Sequence, residues 1–498
     1  MSNNQLPAIL NVGTIPSVEN MNIKTEVLDP ITITAQQAVF QIPKTGVLDG
    51  GSMLQLGITA LPTNFLPFLT GIHGAIRSVF LKIGGQVIAS NDDYAYYTTM
   101  ARQFETPEHR AYVDMVKSGA CGDRWASPAL GRLAFRDANA TQNADPLQSS
   151  NTCPLFLRPT LVDGTTPLFS IPLSTLIPMM RTRQLPLMAI KEHVYLEINF
   201  NSQLANAPGL ITCCAQARDQ DTAVAISLPN VKFISDHLYY TDEKMNAVLA
   251  QSMSANGMAI LYEDIITTTH QIPASNVAGA NVQNQVIERP LAVSGKTVRN
   301  ILIQDKNQNE THNIFGNYIS RELMAGSTYN FRINDQRVYD RDLENPARKY
   351  NELMEVYGLP LYVPNQLYSY DADTSKQDPQ QRVIQNSLGI GLVEGYQLPN
   401  AVSALAEDAT NGNVNDMRGC MHYDGYDLTT SSSNSLGNGA KIGVKPIEVI
   451  KTYKRVADTA QTGDFGVVTG QASSREMRIF CGVERTMLIR NGEITVSA

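Results

Sequence analysis

The sequence predicts an all-β protein of two domains, with short helices inserted in its loops. Three observations predict this fold class. Most of the periodic signal in the apolar residues has period two, helical patterns are few and short, and one pattern of elements recurs at a shift of about half the chain. The 498 residues also exceed the roughly 250–300 residues that one hydrophobic core usually accommodates, so we expect two cores.

Period-two alternation predicts the strands. In His193–Phe200 every second residue is apolar, as in a strand with one buried face. The segment Arg77–Ile83 alternates in the same way, and Gly84 and Gly85 then suit a tight turn before Val87. The sequence therefore predicts a half-buried strand and a hairpin in the N-terminal half.

The clearest hairpin is at the C-terminus. Thr486–Arg490 and Glu493–Ser497 flank Asn491 and Gly492. These two residue types tolerate the positive φ angles that a type I′ turn requires, so the flanking segments are predicted to pair.

Three short helices are expected. Pro346–Tyr357 has apolar residues at helical spacing, and Asn345 before it can cap the free N–H groups. The other two are expected over about Thr241–Met253 and about Tyr94–Arg102. Because strands far outnumber helices, we interpret these as insertions in an all-β framework.

Internal repetition indicates a duplicated domain. At a shift of 250 residues, Ile83 meets Ile333, Gln86 meets Gln336, and an aspartate recurs. Each copy continues as strand, turn, acidic loop and tyrosine-bearing helix. We expect a first domain and a second domain separated by a linker, after an N-terminal arm that is either flexible or ordered on a neighbouring molecule. The predicted boundaries are 1–25 for the arm, 26–202 for the first domain, 203–230 for the linker and 231–498 for the second domain, with long loops at 119–160 and 371–441.

Composition argues against several function classes. The net charge is −8 and no basic arm occurs, so no sequence-specific binding of nucleic acid is expected. We expect neither a signal peptide nor a transmembrane segment, and the sequons at Asn139 and Asn309 are interpreted as chance. The cysteines show no metal-binding spacing and are expected to be free thiols; they are Cys121, Cys153, Cys213, Cys214, Cys420 and Cys481.

Motifs for catalysis or cofactor binding were sought and not found. There is no P-loop and no nucleophile elbow, and the glycine cluster Gly389–Gly395 has the wrong spacing for a dinucleotide. Asp92 with Asp93, and Asp424 with Asp427, are expected to be solvated turn residues rather than cation ligands. We therefore predict no catalytic, cofactor-binding or metal-binding residues. The histidines are widely separated and are expected at the surface or in loops; they are His73, His109, His193, His237, His270, His312 and His422.

Aromatic residues leave one alternative open. Tyr94, Tyr96 and Tyr97 cluster on one predicted helix, where helical spacing favours a packing face over a ligand platform. Trp125, the only tryptophan, is interpreted as a buried loop anchor or as an interface contact.

The segments Phe169–Met180, Leu185–Leu187 and Glu192–Phe200 together resemble the end of the first roll in double jelly-roll major capsid proteins. Gly71–Ile88 resembles the strand pair before the inserted helix of that roll, and Arg332–Pro360 resembles the equivalent part of the second roll. The pattern is most like that of capsid proteins of virophages and Polinton-like viruses. These stretches cover about a fifth of the chain, in the right order in both halves.

This resemblance implies two tandem eight-stranded jelly rolls, with short helices inserted in loops. It also implies a homotrimer that forms a pseudo-hexameric capsomer, many of which build an icosahedral shell around a double-stranded DNA genome. The partners would be neighbouring capsomers, penton proteins and minor capsid proteins. The chain would be located in the virion, after assembly inside the infected host cell, and would not be an enzyme.

The sequence leaves two other hypotheses open. A carbohydrate-binding two-domain β-sandwich, such as an attachment lectin, would use Trp125 and the tyrosine cluster to line a groove. A metal-dependent β-barrel enzyme would need distant histidines to converge in space.

Overall fold

The computed structural model describes residues 21–59, 71–102, 115–118, 168–201, 210–214, 221–273, 285–307, 327–357, 368–370, 384–386, 391–392, 424–429, 436–453 and 475–497. The predictions for residues 119–160, for Trp125 and for the two sequons concern residues outside these ranges, as do most of those for residues 371–441.

Two antiparallel sheets form the N-terminal half. The first has the order β1-β11-β5-β8, and two further strands, β4 and β10, pair with β11. Its strands are β1 (Asn22–Leu28), β4 (Val47–Leu48), β5 (Met53–Thr59), β8 (Leu168–Pro172), β10 (Leu210–Cys214) and β11 (Asp221–Tyr239). The second has the order β2-β3-β9-β6-β7. Its strands are β2 (Thr32–Ile33), β3 (Gln37–Ile42), β6 (Ile76–Ile83), β7 (Gln86–Asn91) and β9 (Val194–Phe200).

The C-terminal half repeats this arrangement. One sheet has the order β12-β23-β14-β20, with β21 paired to β14 and β24 paired to β23. Its strands are β12 (Met258–Ile272), β14 (Thr297–Asn307), β20 (Asp424–Asp427), β21 (Ala440–Lys441), β23 (Arg475–Arg490) and β24 (Glu493–Ser497). The facing sheet has the order β13-β22-β15-β16, and its strands are β13 (Gln285–Pro290), β15 (Ser327–Ile333), β16 (Gln336–Arg337) and β22 (Glu448–Tyr453).

Both halves have jelly-roll connectivity. Counting the eight framework strands of each half along the chain, one sheet contains the first, eighth, third and sixth, and the other contains the second, seventh, fourth and fifth. This order is that of two interlocked Greek keys, in which two sheets bury their facing surfaces. The predicted all-β class with two tandem eight-stranded jelly rolls is therefore confirmed.

The repeat detected at 250 residues is a structural one. In the first roll Ile83 pairs with Gln86 across Gly84 and Gly85, whose φ angles are +56° and +87°. In the second roll the same turn is built by Asn334 and Asp335, with φ angles of +51° and +65°. Glycine accepts this left-handed backbone without steric cost, and asparagine and aspartate tolerate it better than other residues.

The three predicted helices are present. They span Tyr94–Arg102, Asp242–Met253 and Pro346–Tyr357. The first and third follow the equivalent hairpins of the two rolls, and the second connects β11 to β12. Short helical turns complete the described secondary structure at Gly71–Ala75, Met115–Ser118, Leu173–Leu176, Met179–Thr182 and Leu187–Ala189. A small three-stranded sheet joins β17 (Tyr368–Tyr370), β18 (Ile384–Asn386) and β19 (Gly391–Leu392).

The strand β11 bears on the boundary between the rolls. It runs through residues predicted as linker and continues to Tyr239, and over its length it pairs with β1 and β5 of the first roll. The helix Asp242–Met253 then leads into β12. The boundaries predicted from the sequence stay a prediction, and we propose that the first roll extends to Tyr239.

The residue Gly50 provides a test of packing in the first roll. It is buried, and a Cβ atom there would overlap the backbone carbonyl oxygen of Met180. The neighbouring Gly51 is exposed, and its Cβ would meet only the Asp49 side chain. We expect Gly50→Ala to lower the free energy of unfolding by about 1–3 kcal/mol, as overpacking usually does.

The matched control is Gly51→Ala, for which we expect a much smaller change because the aspartate side chain can move aside. Chemical denaturation of the two variants measures the difference. Equal stability of both variants would contradict the packing described here.

Candidate functional site: the contact between the two rolls

The helix Tyr94–Arg102 lies between the two rolls. Every residue from Tyr94 to Met100 is buried, although a helix on a protein surface usually has one exposed face. The equivalent helix of the second roll, Pro346–Tyr357, buries Leu353 and Met354 but leaves Arg348, Asn351 and Glu355 exposed. The first helix is therefore covered on all sides, and the second on one side only.

The strand β23 of the second roll is buried on both faces. Met477, Ile479 and Cys481 belong to the core of the second roll. Arg478 and Phe480 point the other way and are nonetheless buried. Because successive side chains of a strand point to opposite faces, something must cover the outer face of this sheet, and the helix Tyr94–Arg102 does so.

Aromatic and cationic groups make this contact. The rings of Tyr97 and Phe480 are 5.7 Å apart between centroids. The Arg478 guanidinium lies 3.6 Å from the ring centroid of Tyr96, and its Nε lies 3.6 Å from Asp93 Oδ2. A guanidinium stacked on a ring stabilises a contact by electrostatic attraction as well as by buried area.

Strands β7 and β12 add polar contacts. The Tyr262 hydroxyl donates a hydrogen bond to the Ile88 carbonyl at 2.6 Å. The Ser90 N–H donates to Asp264 Oδ1 at 3.0 Å, and the Arg485 guanidinium lies 3.0 Å from Asp264 Oδ2. Tyr262 also packs in the hydrophobic cluster of the first roll.

The C-terminal hairpin closes the contact. Its turn has φ angles of +52° at Asn491 and +82° at Gly492, as the sequence predicted. The Gly492 carbonyl accepts a hydrogen bond from the Lys191 N–H of the first roll at 3.0 Å, and the Asn491 N–H donates to the Ser252 carbonyl at 2.9 Å. Met487 and Ile489 of β23 share the first roll's cluster. One continuous core thus joins the two rolls.

Burial at the contact shifts two acid–base groups. Desolvation raises the pKa of Asp264 to about 6, an effect that Arg485 partly opposes. Desolvation also raises the pKa of the Tyr97 phenol, again against the effect of a nearby arginine, Arg181. The rolls therefore meet in a poorly hydrated environment.

A second cluster of buried polar groups lies within the second roll. Lys451 pairs with both Asp305 and Asp424, and Lys349 lies 3.6 Å from Asp424. The Tyr453 hydroxyl donates to Asp305 Oδ1 at 2.8 Å. All five side chains are at most 3 % exposed.

The tyrosine cluster is a packing face, as the sequence predicted. Tyr94, Tyr96 and Tyr97 are 0 %, 5 % and 8 % exposed, and the Tyr94 hydroxyl is 2.6 Å from His73 Nδ1. These rings are therefore not available to line a sugar-binding groove on the surface of the single chain.

Two expectations about polar residues were wrong. Asp424 is fully buried between two lysines instead of solvated in a turn, because it lies on β20 at the inner surface of the sandwich. His73 and His237 are buried instead of exposed. His237 lies on β11, where it hydrogen-bonds Thr45 O and Ser235 Oγ, and these partners satisfy its ring nitrogens.

The remaining candidates are scattered. Asp92 and His193 are exposed and His270 is half-buried. Cys481 is free and buried, and burial raises its pKa to about 12. His109, His312, His422, Cys121, Cys153 and Cys420 lie outside the described residues, as do the side chains of Cys213 and Cys214.

Within the described part of the chain, no three histidine, cysteine, aspartate or glutamate side chains gather into a potential metal site. Of the helices described, none has the length and apolar character needed to cross a membrane.

The residues that make the contact were missed by sequence reasoning. Asp264 carried a signal, since by alternation it shares a face of β12 with Met258 and Tyr262. Arg485 carried one too, since it shares a face of β23 with Val483 and Met487. Lys451 did carry a signal, since it shares the parity of the apolar residues Val449 and Tyr453 in β22.

Residues 24–241 match the sequence model of a family described as the major capsid protein N-terminus. This match covers the framework of the first roll. No curated protein matches the sequence.

Solved structures share the fold over nearly the whole chain. The capsid of the PBCV-1 virus gives a TM-score of 0.55 at 12 % identity, covering 96 % of this chain and 97 % of that one. The Sputnik virophage gives 0.51 at 12 % identity, covering 96 % and 88 %. The major capsid protein of mavirus gives 0.51 at 10 % identity, covering 100 % and 95 %.

The raised pKa of Asp264 predicts a pH dependence of stability. The folded chain holds this proton up to about pH 6, whereas the unfolded chain releases it near 3.8. Between these values the folded state binds more protons, so the stability contributed by this group falls as pH rises and is lost above about pH 6.

We therefore expect the substitution Asp264→Asn to lower the free energy of unfolding more at pH 4 than at pH 7. The asparagine carbonyl still accepts the Ser90 N–H but does not titrate. Relative to this variant, the free energy of unfolding of the wild type should fall by up to about 3 kcal/mol from pH 4 to pH 7. This figure follows from the difference between the folded and unfolded pKa values, at about 1.4 kcal/mol for a difference of one. Urea denaturation at both pH values measures the difference, and parallel pH profiles would refute the assignment.

Proposed function

We propose that this chain, with the N-terminal domain of a major capsid protein and the double jelly-roll fold of viral capsid proteins, is the major capsid protein of a double-stranded DNA virus. The observation that carries the proposal is the pair of tandem jelly rolls that share one continuous core across a desolvated contact. The chain would have a structural role, in which a stable shape and contacts with further copies build the shell, and it would not be a catalyst.

The internal contact supports a ring of three chains. Within one chain, the helix after the first hairpin covers the outer face of the second roll's sheet β12-β23. The equivalent helix Pro346–Tyr357 has an exposed side, and the equivalent outer face on the first roll is that of β1 and β11. If the helix of one copy covers the β1-β11 face of the next, a heterologous contact repeats the internal one. Three chains then close a pseudo-hexamer of six rolls.

The exposed apolar residues favour the same surface. Among the large apolar side chains exposed in the described residues, Met21, Ile23, Val27 and Ile31 fall within eleven residues of one another. Ile23 and Val27 are 53 % and 60 % exposed and lie on the face of β1 opposite Leu28, which packs on the core. Clustered exposed apolar groups usually mark an interface, so we propose a second copy as the occupant.

The higher assembly follows from this unit. Capsomers would pack into an icosahedral shell, with penton and minor capsid proteins as further partners and the virion as the location, after assembly in the infected host cell. The net charge of −8 argues against simple coating of DNA by this chain, so contact with the genome would need a local basic patch or an intervening protein.

Light scattering of the recombinant protein tests the oligomeric state. From the chain mass of 54.6 kDa, we expect a trimer of three times that mass, with buried interfaces in the range of about 2,000–5,000 Å² that obligate complexes show. Negative-stain images should show three-fold or hexagonal particles. A chain that stays monomeric at high concentration would contradict the proposal.

The β1 surface is tested by the double variant Ile23→Ser/Val27→Ser. Each buried apolar side chain stabilises an interface by roughly 1.5–3 kcal/mol, so we expect the dissociation constant of the trimer to rise at least about tenfold. Analytical ultracentrifugation measures it. The control is Val444→Ser, a residue 94 % exposed elsewhere on the second roll, which should leave the trimer unchanged. Equal dissociation constants for the double variant and for the Val444→Ser control would contradict the assignment of the interface to β1.

A further inference from the structure

The buried cluster of the second roll joins its two facing sheets. Lys451 and Tyr453 lie on β22, while Asp305 and Asp424 lie on the neighbouring strands β14 and β20 of the opposite sheet. Lys451 shares the inner face of β22 with Val449, and Asp305 shares that of β14 with Ile301 and Ile303. An amine and a carboxyl group therefore meet across the middle of a hydrophobic core.

The contacts within the cluster have distinct roles. Lys451 Nζ contacts Asp305 Oδ2 and lies 2.7 Å from Asp424 Oδ2. Asp424 Oδ1 also lies 3.6 Å from Lys349 Nζ, whose hydrogen bond to the Ser327 carbonyl measures 2.5 Å. Lys349 thus balances the charge of Asp424, and Lys451 balances that of Asp305. A hydroxyl, that of Tyr453, holds the other oxygen of Asp305 at 2.8 Å.

Burial makes the charged pair costly. Removing an ammonium and a carboxylate from water carries a large desolvation penalty, and their attraction compensates it only in part. Proton transfer from the amine to the acid removes both charges and leaves the two neutral groups that amide formation requires. Condensation of the two groups to a neutral amide would remove this desolvation penalty.

We propose that Lys451 and Asp305 form an intramolecular amide bond, with Asp424 as the proton carrier. After the Lys451 ammonium has transferred one proton to Asp305 Oδ2, the Nζ lone pair attacks Asp305 Cγ and forms the C–N bond. The Tyr453 hydroxyl stabilises the negative charge that develops on Oδ1. The Asp424 carboxylate takes a proton from Nζ and delivers it to Oδ2, the C–Oδ2 bond breaks, and water leaves.

The step balances without another reagent. One ammonium and one carboxylate become one neutral amide and one water, with no oxidation or reduction, and Asp424 returns to its carboxylate beside Lys349. The bond links residues that are 146 positions apart in the sequence. It holds the two sheets of the second roll together covalently, independently of whether the chain assembles.

Mass spectrometry of the denatured full-length chain tests the proposal. We expect an intact mass lower than that of the sequence by one water, and a branched tryptic peptide that joins Lys451 to Asp305. Folded wild-type protein with the full sequence mass and no branched peptide would overturn the proposal. This measurement needs no variant, so a misfolded mutant cannot obscure it.

Variants identify the reacting atoms. Lys451→Arg keeps the positive charge but should show its full sequence mass. Asp305→Asn should release ammonia in place of water, so its mass deficit should differ from that of the wild type. Asp424→Asn should slow or abolish the mass loss in protein that remains resistant to trypsin. A water deficit that persists in folded Lys451→Arg would contradict the assignment.

The matched control is Lys445→Arg. Lys445 forms an ion pair with Asp335 on the same roll, but both side chains are more than 60 % exposed. These exposed groups are not part of the buried cluster, so this variant should keep the deficit of one water. Loss of the deficit in the control would show that Lys445 forms the bond, and the proposal for Lys451 would fail.

Discussion

The desolvated outer face of β23 is the constraint on which the rest of the structure depends. A jelly roll buries the inner faces of its two sheets and normally leaves the outer faces to water. Here Arg478 and Phe480 on the outer face are covered by the helix Tyr94–Arg102 of the other roll. Because the core of the first roll continues into Met258 and Tyr262 of the second, the two rolls cannot move apart without exposing apolar surface. Their relative orientation is fixed by the same burial that stabilises each of them.

The duplicated elements have diverged in what they cover. The two hairpins have the same turn geometry, yet one uses two glycines and the other Asn334 and Asp335. The helix after the first hairpin is enclosed, whereas the helix after the second keeps a polar exposed side. Under the function proposed above, the exposed side of the second helix is the surface on which self-assembly would be built.

Buried charge divides the second roll into two regions with different chemistry. At the contact with the first roll, Asp264 and Arg485 form an ion pair whose arginine keeps some exposure to water. Inside the sandwich, Lys349, Lys451, Asp305 and Asp424 have almost none. Asp264 of the first pair has a raised pKa of about 6, whereas each charge of the second set is compensated by a neighbouring charge of the opposite sign. A core that contains this many charged groups depends on their mutual compensation.

The sequence by itself determined the local elements. Alternation predicted β9, glycine and asparagine pairs predicted the hairpin turns, and capping and spacing predicted three helices, because these features depend on neighbours within a few residues. Even the duplication could be read, since Ile83 and Ile333 begin equivalent turns. Only the tertiary structure decided that Asp424 and His237 are buried and that β23 is covered on both sides. Burial of a strand face depends on which distant element packs on it, and no residue within the strand encodes that partner.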